Sequence, residues 1–170
     1  LIDAGIDSFK IEGRMKTALY VATVARTYRK AIDDYLKDPK LYEANMEWYK
    51  EEIGKCTYRE FTTGFYFGKP GSDAQIYNSN TYVKNYTYLG TVEEADGKGR
   101  CRIEQKNKFS VGETIEIMKP DGRNLEVVVK SICDEDGNEQ ESAPHPKQIL
   151  WVDLGADVDK YDILRKKEDN

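Results

Sequence analysis

Hydrophobic and polar positions change rhythm about halfway along the chain. Asp7 to Glu12 (Asp-Ser-Phe-Lys-Ile-Glu) alternate polar and apolar, which predicts a short strand that Gly13 ends. From Met15 to Leu36 the period lengthens. Met15, Ala18, Leu19, Ala22, Ala25, Tyr28, Ile32 and Tyr35 form one apolar stripe at helical spacing, with Arg26, Arg29, Lys30, Asp33 and Lys37 on the other face. Asp38-Pro39 puts a capping side chain before a proline, so it closes this helix and opens another. The second helix carries Leu41, Ala44 and Trp48 on one face and stops near Gly54. Tyr58 to Gly68 is then dense in aromatic residues and Thr, and Lys69-Pro70-Gly71-Ser72 turns the chain.

Asn78, Ser79 and Asn80 read as a linker, which sets a first region at residues 1–79 and a second at 80–170. Beyond it the alternation is that of strands. Tyr88–Glu93, Arg100–Gln105, Thr114–Met118, Leu125–Cys133, Gln148–Leu154 and Tyr161–Arg165 are separated by Asp96-Gly97-Lys98-Gly99, Val111-Gly112-Glu113, Pro120-Asp121-Gly122 and Asp134-Glu135-Asp136-Gly137-Asn138. Cys101, Ile103, Ile115 and Ile117 take the inward positions. Short strands at this spacing predict a small antiparallel barrel or sandwich. The first region, one strand and two helices, is too small to cover its own apolar faces. It reads as the detached end of an α/β (TIM-type) barrel, and the whole as α+β. The opening Leu1-Ile2-Asp3-Ala4-Gly5-Ile6 has the texture of mid-fold sequence, so a piece of a larger enzyme is expected, one that catalyses nothing by itself.

Composition narrows the classes. Of 170 residues, 39% are hydrophobic and 34% charged, and no apolar run approaches the ~20 residues that cross a bilayer. The net charge of −5 argues against a surface coated with cations for general nucleic-acid binding, while leaving room for a local basic patch. Cys56, Cys101 and Cys133 lie far apart with no C-x-x-C pair, so they are expected as buried reduced thiols of a cytoplasmic protein, not as a zinc site or disulfide frame. The single histidine, His145, sits between Pro144 and Pro146. It has no Ser or Cys beside it, and G-x-S-x-G and glycine-rich phosphate loops are absent.

Three stretches carry candidate chemistry. Lys10, Glu12 and Arg14 precede a helix at the carboxyl end of the first strand, where barrel enzymes keep substrate groups; they could hold a carboxylate or phosphate, or one another. Arg59-Glu60-Phe61, with Phe65, Tyr66 and Phe67, reads either as an apolar lid or as a base-stacking or substrate-closing segment with Arg59 and Glu60 as polar contacts. Lys98, Arg100, Arg102, Lys106 and Lys108, beside Phe109, could track an RNA backbone or form a solvated strand face.

Gly5-Ile6-Asp7-Ser8-Phe9-Lys10-Ile11-Glu12-Gly13-Arg14-Met15-Lys16 resembles the signature segment of peptidase family U32, the collagenase-like proteases. Arg59 to Gly68, Asn107 to Glu113, Ala143-Pro144-His145-Pro146 and Tyr161 to Arg165 are similar to further hallmarks of that family, in the same order. The resemblance implies an α/β barrel followed by a small β-barrel that looks like the second domain of elongation factor Tu. It also implies that this chain is the non-catalytic, substrate-binding C-terminal region of a family member. Some branches hydroxylate a wobble uridine of tRNA and carry an iron–sulfur cluster on cysteines of the α/β barrel; others are named as collagenases. On this basis the expected partners are the chain's own N-terminal barrel domain and tRNA, or alternatively a protein substrate such as collagen or a structural, subunit-joining role. No membrane partner is expected. The cluster is expected outside this chain. Lys10, Glu12, Arg14 and Arg59 are the expected substrate-binding residues, and Arg100, Arg102, Lys106 and Lys108 the RNA-binding candidates.

Overall fold

The computed structural model describes residues 1–59, 61–72 and 82–168, and the chain divides into two compact units, Leu1–Ile53 and Gly54–Asn170. The expected linker at Asn78–Asn80, and with it the boundary near residue 80, lies outside the described residues.

The first unit is helical. Helix α1 (Ala18–Lys37) starts where the Thr17 hydroxyl accepts the Tyr20 N–H at 3.2 Å. It ends at Asp38, whose carboxylate accepts the Lys40 N–H and caps α2 (Pro39–Ala44), with Pro39 in the first turn as expected. A break at Asn45 separates α2 from α3 (Met46–Ile53), where a single second helix was expected. The buried face of α1 also departs from the apolar stripe. It runs through Leu19, Thr23, Val24, Arg26, Thr27 and Asp34, while Met15 precedes the helix and is 92% exposed. The cause is the partner: α3 presents Glu52 to Arg26 and Tyr49 to Asp34, so the charged side is drawn inward by pairing. Tyr49, not Trp48, is the aromatic that α3 buries. Residues 7–12 join no β-ladder among the described residues. An extended segment needs a neighbouring strand for its backbone groups, and this unit offers none.

Among the described residues the second unit holds an antiparallel sheet of eight strands: β1 (Tyr86–Ala95), β2 (Arg100–Glu104), β3 (Thr114–Met118), β4 (Asn124–Val128), β5 (Ser131–Cys133), β6 (Glu139–Gln140), β7 (Ile149–Asp153) and β8 (Ile163–Lys167). The order is β4-β3-β8-β1-β2-β7-β5-β6. The sheet curls because β4 runs straight on into β5. Across that junction the chain changes partner: Val129 N–H bonds to Glu113 O at 3.0 Å and Lys130 N–H to Asp153 O at 2.8 Å. The expected long strand Leu125–Cys133 is thus one bent ribbon serving two neighbours. Leu89, Val92, Cys101, Ile103, Ile115, Ile117, Leu150, Val152 and Leu164 point inward and form the core with Phe109, Val129 and Ile132. Each such side chain contributes about 1.5–3 kcal/mol by leaving water.

Register slips in β1 between Tyr88 and Gly90, and again between Val92 and Glu94, bend that strand. At the turn into β2, Gly99 (φ +101°) has no room for a side chain. A Cβ there would lie 2.8 Å from Gly155 Cα, and the Gly99 carbonyl accepts the Leu154 N–H at 2.9 Å.

Candidate functional site

Lys10, Glu12 and Arg14 all lie on the surface of the first unit. A Glu12 carboxylate oxygen accepts the Arg14 backbone N–H at 2.9 Å, so the Glu shapes the turn that leads toward α1. Arg59 belongs to the second unit; the two halves of the expected substrate-binding set come from different units.

Around Arg59 the aromatic segment is laid out as follows. The Tyr58 and Phe61 rings stack with centroids 4.5 Å apart, and the Arg59 guanidinium lies 4.9 Å from the centre of the Tyr82 ring. Thr63 and Phe65 carbonyls accept the N–H groups of Tyr66 and Gly68, a double turn that holds Phe65, Tyr66 and Phe67 in solvent. Phe65 is 76% exposed and Phe67 81%. Lys69 follows them, and residues 61–72 contain no acidic side chain. The lid reading expects these rings to be covered; within this unit they are open.

The four basic candidates of the barrel are not equivalent. Arg102 lies 3.0 Å from Glu93 and 3.1 Å from Glu94. Lys106 pairs with Glu104; that hydrogen bond holds the Glu104 carboxyl below the usual range and the Lys106 ammonium above its own. Surface pairs of this kind contribute little stability, but they cancel charge. Arg100 and Lys108 are exposed. Arg100 packs over Trp151 at 5.8 Å on the outer wall, giving a cation–π platform that alternation alone does not reveal.

Other charged groups are built into the barrel wall, and sequence reasoning missed them. Lys119, fully buried, sits 2.8 Å from Asp159, 3.0 Å from Asp162 and 3.4 Å from Asp157. Burial pulls its pKa down, but hydrogen bonds from the ammonium to Asp159 and Asp162 outweigh that and hold it above the ordinary lysine range. Arg165 donates from Nε to Glu116 at 2.6 Å. The sequence hint was modest: Glu116 stands between two isoleucines and Arg165 follows Ile163-Leu164, but nothing in the spacing says that the two meet. His145 is exposed, and its carbonyl accepts the Gln148 N–H at 3.2 Å.

The three cysteines do not make a cluster-binding set. Cys101 is in the core, where burial pushes its thiol up to about 12. Cys56 is buried but outside that core, and Cys133, expected to be buried, is half-exposed opposite Trp151. A thiolate ligand needs the opposite environment. Among the described residues no three His, Cys, Asp or Glu side chains are grouped to hold a metal ion, and no helix is long and apolar enough to cross a membrane.

Two family models divide the chain: residues 1–76 match the model described as Peptidase family U32, and residues 84–165 match Peptidase family U32 C-terminal domain. The chain is 38% identical to tRNA hydroxylation protein P1 of Bacillus subtilis over 98% of its length, which is 39% of that protein. It is 30% identical to tRNA hydroxylation protein P of Escherichia coli over 98% of its length and 36% of that protein. A collagenase of Porphyromonas gingivalis is 39% identical over 61% of this chain and 27% of its own length. The chain therefore spans well under half of these relatives. Among solved structures, the C-terminal domain of a U32 peptidase candidate from Geobacillus thermoleovorans matches 48% of this chain and 92% of its own, at 32% identity and a TM-score of 0.44.

Proposed function

The chain belongs to peptidase family U32, and from that footing we propose that it is the non-catalytic, substrate-binding C-terminal region of an enzyme that takes part in tRNA wobble-uridine hydroxylation. The observation that carries the reading is the 38% identity to tRNA hydroxylation protein P1, which extends over both family segments and 98% of the chain. The geometry is compatible with it. Exposed rings next to Lys69 and Arg59 suit stacking on unpaired bases, and Arg100 over Trp151 with Lys108 suits phosphate contact. An iron–sulfur cluster, where the parent enzyme uses one, takes its ligands from outside this chain. On this reading the parent works in the cytoplasm, where its tRNA is.

The test is nucleoside mass spectrometry of tRNA from source cells with and without the gene. Loss of hydroxylated wobble uridine is the expected result; an unchanged level, with no paralogue present, overturns the reading. Binding is tested separately. Exchanging Arg100 and Lys108 for Glu in the intact protein is expected to weaken tRNA binding and flatten its salt dependence by roughly 1 to 2 log–log slope units. Unaltered binding removes the barrel from RNA contact. The collagenase similarity supports a second reading, a barrel that docks a protein substrate, but it extends over only 61% of the chain. Collagen cleavage by the purified intact protein, abolished by a catalytic substitution outside this chain, would favour it.

A further inference from the structure

Along β8, Leu164 points into the barrel core, so the next residue, Arg165, faces outward. Yet Arg165 is 0% exposed. The chain that runs over this outer face is the segment just after α3. Lys55 Nζ lies 3.3 Å from Glu116 Oε2, and Arg165 Nε donates to Glu116 Oε1 at 2.6 Å. Both cations also sit over the Tyr86 ring, at 5.6 and 5.1 Å from its centre. One carboxylate and one aromatic ring thus hold two largely buried cations. Cys56, next in the chain, is completely buried without belonging to the barrel core. Tyr58 then pairs with Val83 through two backbone hydrogen bonds, of 3.1 and 2.8 Å.

We propose that residues 54–59 are a strap docked on the outer face of β1, β3 and β8, and that Lys55 is the positioning residue that sets Arg59 and Phe61 in register with the barrel. Arg59 follows directly on the Tyr58–Val83 pairing and packs on Tyr82. Phe61 stacks on Tyr58. The strap matches the first family model by sequence but is built into the second unit by structure. This deepens the accessory reading above, on which the role of Arg59 as a substrate contact rests: the barrel serves binding by fixing where the aromatic segment begins.

Hydrogen–deuterium exchange on the intact protein tests the strap. Lys55→Met keeps the aliphatic stem and leaves Glu116 paired with Arg165, so the barrel stays folded. Losing a charged hydrogen bond, the strap is expected to open more often. Exchange at the Tyr58 and Val83 amides should rise by about tenfold or more while the amides of β2 and β7 keep their rates. Lys55→Arg, which keeps a cation for Glu116 and Tyr86, should restore protection. Unchanged exchange at Tyr58 and Val83 overturns the proposal. So does an even rise through the whole barrel, which would make Lys55 a general stability residue. The same variants are scored for tRNA binding. A loosened strap with full tRNA binding leaves the strap standing and removes Arg59 from the substrate contact.

Discussion

Arg165 and Lys119 are cations held out of water on the barrel, and the carboxylates facing them make burial tolerable. Taking away one partner of a buried pair costs more than the pair contributes, because the other charge remains desolvated. Glu116→Gln neutralises the carboxylate that both Arg165 and Lys55 face, and a loss of about 3 kcal/mol is expected in urea unfolding. A loss below about 1 kcal/mol would mean that the Tyr86 face and solvent already compensate the two cations. Proton linkage gives a second test. Burial raises Cys101 from 9.0 to about 12, and burial together with the Asp34 hydrogen bond raises Tyr49 from 10.0 to about 12. Above pH 9 the unfolded chain releases these protons before the folded one does, so it binds fewer, and stability falls as pH rises. Unfolding midpoints are therefore expected to drop steadily from pH 9 toward 12. Cys101→Val should remove the part of the slope that begins first. A flat profile over that range would contradict the burial of both groups.

At the scale of elements, strands were legible in the sequence where one face meets the core and the other meets water. Cys101 and Ile103, Ile115 and Ile117 alternate with polar neighbours and land inward as read. What pattern could not show was where one strand serves two partners. Leu125 to Cys133 reads as continuous, and only the switch from Glu113 to Asp153 at Val129–Lys130 shows it to be the closing ribbon. The α1 stripe misled for a related reason: hydrophobicity locates an apolar face, whereas Arg26 and Asp34 are buried by partners on α3 that lie up to 26 residues away in the chain. The candidate site was legible as residue types. Which cations are spoken for was not, because Glu93, Glu94 and Glu104 reach Arg102 and Lys106 through strand pairing and turn geometry. Two glycines test how turns limit the sheet. Both Gly99 and Gly112 have positive φ, but only Gly99 is crowded. Gly112→Ala should cost about 1 kcal/mol from backbone strain alone, and Gly99→Ala about 2–4 kcal/mol, since the Gly155 backbone must also move. Equal costs in thermal unfolding would show that the Gly99–Gly155 contact yields freely.

At the scale of the whole chain, the two units differ in how much apolar surface they remove from water. Leu1–Ile53 buries Leu19, Val24 and Tyr49 as its hydrophobic core, with charged pairs alongside, and leaves Ile6, Ile11, Val21, Tyr28 and Leu36 open. Gly54–Asn170 encloses a continuous core from Leu89 to Leu164. Helix α1 has 20 residues and a Thr17 cap, but most helical stability in a protein comes from a packed face. The first unit should therefore open far more often than the barrel. In native-state hydrogen exchange of this 170-residue chain, α1 amides are expected to exchange by local opening at denaturant concentrations that leave β1 and β8 protected. If α1 and β1 instead merge into one opening at the same free energy, the units fold as a single cooperative body, and the open apolar side chains of α1 must find cover that the division into two units does not provide. If α1 opens first and regains protection in the full-length protein, the exposed face of the first unit is one that the rest of a U32 enzyme covers. The barrel then remains the part whose fold this sequence specifies by itself.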